Sequence, residues 1–178
     1  MNIKLSLITI FVMLLLLAGS AVAQKPVKFT SVYTRLTTGC KTLKGTNGTD
    51  DAALCKGAGN YQVRLYYSAT MAHLNAELKG TDESVTLLMT PMSFDEKKAT
   101  LEWRLADGKP FAVILRKPVY PETADVTSDV KPTGEELEVI GLIGYGDIVK
   151  GSVDAKTANA NVKARALADA AYNSAQPK

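Results

Sequence analysis

The stretch Ala99–Lys117, ATLEWRLADGKPFAVILRK, decides the fold. Apolar and polar residues alternate on both sides of Asp107-Gly108, a dipeptide suited to a tight turn between two strands. Two connections are open to it. A two-residue turn at Asp107-Gly108 sets Trp103 beside Ala112 and mixes polar with apolar side chains on each face. A three-residue loop, Ala106-Asp107-Gly108 with Gly108 left-handed, gathers Leu101, Trp103 and Leu105 on one face with Phe111, Val113 and Leu115. A one-residue slip turns a strand's whole side-chain set over, so the hydrophobic pattern selects between them. It selects the three-residue loop, with Trp103 opposite Phe111 in the core. The other face holds Thr100, Glu102, Arg104, Ala112, Ile114 and Arg116. It is half apolar, so a second layer must cover it.

Working outward, Glu136 to Gly144 reads as a further strand with apolar residues on both faces, Leu137, Val139 and Ile143 against Ile140 and Leu142. The cover is predicted to be a helix over Asn159–Asn173. Ala160, Ala164, Leu167, Ala168 and Ala171 form one stripe at helical spacing, small enough for close approach to a sheet. Asn159 is its N-cap, and Arg165, Asp169 and Tyr172 are placed on its far side. Toward the N-terminus, Val27 to Leu36 reads as a strand and Thr37 to Ala58 as a polar loop with a turn at Asn47-Gly48. Tyr61 to Tyr67 alternates, with Tyr61, Val63, Leu65 and Tyr67 inward and Gln62, Arg64 and Tyr66 outward. Thr70 to Lys79 follows, with Ala72, Leu74, Ala76 and Leu78 inward and Met71, His73, Asn75 and Glu77 outward. Val85 to Thr90 is a third run, closed by Pro91. The fold class is α+β: a curved antiparallel sheet or partly closed barrel with a C-terminal helix packed on one face.

Residues 1–23 stand apart. Lys4, an apolar run from Leu5 to Ala18, and Ala21-Val22-Ala23 read as a secretory signal peptide cut before Gln24. The run is short for a membrane span, and nothing later could span, so no transmembrane anchor is expected after cleavage. Residues 24–178 then form a single secreted domain, long enough to bury about 70% of its unfolded surface. The chain has 21 Lys+Arg against 18 Asp+Glu and a net charge of +3. That balance lacks the basic stripe that nucleic acid usually requires. In an oxidising compartment Cys40 and Cys55, the two cysteines, form a disulfide. A loop of that length contributes roughly 3 kcal/mol. Gly57 and Gly59 supply the backbone freedom needed to leave this staple and enter the strand at Tyr61.

Little in the chain points to catalysis, so no enzyme and no cofactor is expected. His73 is the single histidine, and no G-x-S-x-G stretch follows the signal peptide. Zinc needs three or four close ligands. Asn47, Thr49 and Asp51 offer oxygens at alternate positions but without the glycine and distal glutamate of an EF-hand loop. The acidic pairs Asp50-Asp51, Asp82-Glu83, Asp95-Glu96 and Glu135-Glu136 fall at turns or strand ends and read as solvated rather than as converging catalytic carboxylates. Copper is the sharper metal reading. Met71-x-His73 puts a thioether and an imidazole on one outward face, and Met89-x-x-Met92 lies on the next segment with Trp103 following. Soft thioethers favour Cu(I). Against it, alternation puts Met89 on the apolar face, away from His73. Glu102, Arg104 and Arg116 form a charged cluster that reads as a structural fringe of the second apolar patch, or as a pocket for an anionic or sugar ligand; a hydrolase built on Glu102 is the catalytic version.

Four segments together resemble a group of small exported proteobacterial proteins of unknown function: YTRL before Cys40, CKGAGNY, the hairpin LEWRLADGKPFAVILR, and the tail VDAKTANANVKARALADAAY. The hairpin and tail are the most specific parts. Members often carry a Cys-His pair just before the tail, where this chain has YGDIVKGSVDA with neither residue. The resemblance implies export and fold and brings no activity. The function expected is a non-catalytic envelope or secreted binding module, periplasmic or extracellular, meeting a protein partner through Arg64, Tyr66, Met71 and His73. The alternatives are an inhibitor of a secreted hydrolase such as lysozyme, and a periplasmic Cu(I)-binding protein.

Overall fold

Alternation with a period of two dominates the chain, and in the computed structural model the described residues form ten strands and one helix. The structure describes residues 25–36, 39–44, 52–68, 71–91, 99–121 and 131–175. Residues 1–23, read as a signal peptide, Asn47-Gly48, the acidic pairs Asp50-Asp51 and Asp95-Glu96, and Met92 lie outside them. The strands are β1 (Phe29–Arg35), β2 (Lys41–Leu43), β3 (Ala52–Lys56), β4 (Tyr61–Ser68), β5 (Met71–Leu78), β6 (Ser84–Pro91), β7 (Thr100–Ala106), β8 (Lys109–Val119), β9 (Gly134–Gly141) and β10 (Lys150–Asp154), followed by α1 (Ala160–Ala175).

The α+β class holds, with antiparallel strands and the helix on one sheet face. The strands divide between two five-stranded sheets, and neither closes into a barrel. Sheet I has the order β1-β7-β8-β9-β10 and sheet II the order β2-β3-β4-β5-β6. The segment expected as a polar loop after β1 supplies β2 and β3, which pair with each other and then with β4. Cys40 and Cys55 are joined at the start of this hairpin, with their Cα atoms 4.0 Å apart. β10 extends sheet I beyond β9.

The layers are sheet II, sheet I and helix. Between the sheets lies the larger core, including Val63, Leu65, Leu74, Leu87, Leu88, Leu101, Trp103, Val113, Leu115 and Leu142. Tyr61 of β4 meets Trp103 of β7 across it, ring centroids 5.8 Å apart. The buried indole donates its Nε1–H to Thr34 Oγ1 at 3.0 Å. Thr34 in turn donates to the Lys56 carbonyl at 3.0 Å, so one hydrogen-bond chain links both sheets. Gly57 leaves room for this contact: a Cβ there would lie 2.8 Å from the Tyr61 carbonyl oxygen and 3.0 Å from the Trp103 ring. The second core lies between sheet I and α1, from Phe111, Ala112, Ile114, Leu137, Val139 and Val149 to Ala160, Ala164 and Ala168.

The turn is the two-residue alternative rather than the three-residue loop the pattern selected, and past Leu105 the register follows neither expectation. Asp107 (φ 48°) and Gly108 (φ 81°) make a two-residue turn, in which both central residues have positive φ, as the twist of a tight hairpin favours. Leu105 then pairs with Pro110, a register shift follows, and Trp103 pairs with Val113 rather than Phe111. Phe111 is the additional residue of a β-bulge, which bends the strand and re-aims side chains. The inward set of Leu101, Trp103, Leu105, Val113 and Leu115 survives. Phe111 leaves it and packs in the second core, 5.9 Å from the Phe29 ring and 4.7 Å from Tyr172. Ile143, expected beside Leu137 and Val139, follows the end of β9 and packs against the inter-sheet core.

Candidate functional site

Arg64, Tyr66, Met71 and His73 share the outer face of sheet II, because β4 and β5 keep strict alternation while their inner side chains fill the core. Tyr66 pairs with His73 and Ser68 with Met71. The Tyr66 and His73 rings stack with centroids 4.7 Å apart and planes within 6° of parallel. Along the same face, Arg64 forms a two-pronged ion pair with Glu77, its Nη2 lying 3.2 Å from Oε2. Gln62 Nε2 donates to the same carboxylate at 3.0 Å. Partial burial pushes the Glu77 carboxyl up, but the Arg64 and Gln62 hydrogen bonds outweigh it and hold the group below its ordinary value. The hydrogen bond to Glu77 raises Arg64 further. The face is therefore preorganised: a guanidinium fixed at one place and two parallel, stacked rings at another.

Met89 belongs to this face, which corrects the reading by alternation. β6 carries a register shift between the partners of Leu74 and Asn75, so Leu87 and Leu88 are both buried. The phase of the strand changes there, and Met89 becomes the partner of His73. It is 61% exposed, the most exposed large hydrophobic side chain among the described residues. Trp103, proposed as its neighbour, is wholly buried in the inter-sheet core.

The charged cluster divides. Glu102 and Arg104, both buried, face α1. Arg104 grips Asp169 with Nε–Oδ1 at 2.7 Å and Nη2–Oδ2 at 2.5 Å, and donates to Ser31 Oγ at 3.0 Å. Glu102 accepts from Ser31 at 2.6 Å and from Arg165 at 2.5 and 3.1 Å. Arg165 also reaches the Tyr33 hydroxyl at 3.1 Å. Its hydrogen bond to Glu102 raises the guanidinium's pKa above the ordinary value. Arg165, Asp169 and Tyr172 are thus on the sheet-facing side of the helix, contrary to their expected placement. The apolar stripe marked the helix face but said nothing of which polar residues flank it, and Glu102 and Arg104 recruit two of them. Arg116 is apart from the network, in an exposed pair with Glu135 at 3.1 Å.

Two hollows among the described residues lie elsewhere. One of about 370 Å³ at β9 and β10 is lined by Glu136, Glu138, Lys150 and Ser152 among others. The other, about 330 Å³, is at the far end of β8 and β9 and includes Arg116 and Glu135. Neither includes the outer-face residues of sheet II. Among the described residues no group of three or more His, Cys, Asp or Glu is placed to hold a metal ion, and no helix is long and apolar enough to cross a membrane. No protein-family model matches the chain, and neither does any curated protein or solved structure.

Proposed function

We propose that the protein is a non-catalytic binding module of the cell envelope or external medium, which meets a protein partner through the outer face of sheet II. The observation that carries this reading is the parallel Tyr66–His73 stack beside the tethered Arg64. Aromatic residues and arginine dominate binding energy at protein interfaces. Side chains already fixed before association lose less conformational freedom when the partner arrives. The Cys40–Cys55 disulfide supports an oxidising compartment.

The test is capture of a partner from envelope extract and culture medium on the immobilised protein. A partner held near one-to-one, lost with Arg64→Ala, Tyr66→Ala and His73→Ala together and kept with Val162→Ser on the helix layer, supports the reading. Equal retention by the face variant moves the interface elsewhere and overturns it, as does the absence of any stoichiometric partner.

A further inference from the structure

We infer that Met71, His73 and Met89 form a site for a soft monovalent metal ion, Cu(I), on the outer face of sheet II. This goes beyond the protein-partner reading and depends on a residue that reading does not use. His73 and Met89 are directly paired across β5 and β6. Side chains so paired share a face with Cβ atoms about 4.5–5.5 Å apart. Met71 lies two residues from His73 on the same strand face and diagonal to Met89. Long side chains reach each other across that diagonal.

The donor set selects the ion. Two thioethers and one imidazole are soft to borderline ligands, which favour Cu(I) over hard cations; Ca²⁺ and Mg²⁺ require oxygen. Both thiols are consumed in the disulfide, so methionine is the sulfur donor that remains. His73 is also prepared for the role. The stack on Tyr66 fixes its ring plane, and among the described residues neither ring nitrogen has a hydrogen-bond partner. Met89 needs an explanation of its own. Methionine commonly fills core gaps, yet here the bulge at Leu87 turns it out beside the imidazole.

The experiment titrates the reduced-metal form directly. The purified protein competes anaerobically for Cu(I) with a coloured Cu(I) chelator, and Ag(I) serves as a redox-inert probe by NMR of the methionine methyl and histidine ring signals. The expected result is one equivalent bound, with shifts at Met71, Met89 and His73. Met89→Leu, which conserves volume, should weaken binding by roughly tenfold or more, since even groups that merely orient a ligand contribute that much. The same variant should keep any protein partner, whereas Arg64→Ala should keep the metal, so the two readings fail separately. Failure to draw Cu(I) from the chelator overturns the site. So do unchanged binding in Met89→Leu, shifts confined to Met92, and equal affinity for Zn²⁺. Circular dichroism of each variant establishes that it is folded before its binding is read.

Discussion

Arg104 and Asp169 form a bidentate pair across the boundary between sheet I and the helix, sixty-five residues apart in the chain. Side-chain exposures of 11% and 21% keep the pair out of bulk water. Hydrogen bonds to charged groups contribute about 1.5–3 kcal/mol, so Asp169→Ala should lower unfolding free energy by about 2 kcal/mol. Replacing both partners with apolar residues, Arg104→Met with Asp169→Leu, should recover much of the loss, because no buried charge is then left unpaired. Urea unfolding of the three proteins measures this; a single variant as stable as the parent rules out the pair as a tether.

The helix lies close to sheet I because its contact residues are small. Ala164 and Ala168 have no exposed surface. Ala164→Leu should push the helix outward and cost about 1–3 kcal/mol by overpacking. Val162→Ala, on the exposed side, should change stability by less than about 0.5 kcal/mol. Comparable losses in the two variants would show that the helix is not seated on this stripe.

Gly57 should be as sensitive as a core residue although it bears no side chain. In Gly57→Ala the new Cβ meets the Tyr61 carbonyl and the Trp103 ring, at an expected cost of about 1–3 kcal/mol. Trp103 is the only tryptophan, so its fluorescence reports the site alone. A variant with unaltered emission and midpoint contradicts the close contact.

Acid should weaken the outer face of sheet II. The folded-state pKa of Glu77 is depressed: burial opposes ionisation, but Arg64 and Gln62 favour it more strongly. Its stabilisation is therefore complete above the ordinary carboxylate range and is lost as pH falls through the depressed folded value. Glu77→Gln should be less stable than the parent at neutral pH and should converge with it in acid. Urea midpoints from pH 7 down to 2 test this, and a gap that stays constant with pH defeats the assignment.

Reduction of Cys40–Cys55 should cost about 3 kcal/mol by the loop-closure model. The Cys40→Ala, Cys55→Ala protein should show the same lowered urea midpoint with or without reductant. The parent should fall to that level only when reduced.

How much of this was legible in the sequence depended on whether strand phase stayed constant. β4 and β5 keep it throughout, so Tyr61, Val63, Leu65, Ala72, Leu74 and Ala76 were placed inward and Arg64, Tyr66, Met71 and His73 outward, as found. β6 and β8 each change phase at one residue. Alternation counted through Leu87 and Phe111 as though they were ordinary ladder positions, and it misplaced Met89 and Phe111. A bulge leaves only a weak mark, an additional apolar residue in an already apolar run. β2 and β10 are short and polar, so their pairing comes from neighbouring strands rather than from any pattern of their own. The polar side of the helix was misread for a related reason: helical spacing registers apolar residues, while Arg165 and Asp169 face the sheet because Glu102 and Arg104 are buried there.

The helix follows the ten described strands, yet it supplies one wall of a core. Synthesis delivers those strands first. Until Ala160, Ala164 and Ala168 arrive, Phe111, Ile114, Leu137 and Val139 lack their cover. A chain interrupted before the helix is expected to lack the second core. It presents a bare apolar sheet flanked by unpaired strand edges, the kind of surface that aggregates or is cleared by proteases. Docking of the helix is thus the step that closes the second core, and it needs the chain as far as Ala168.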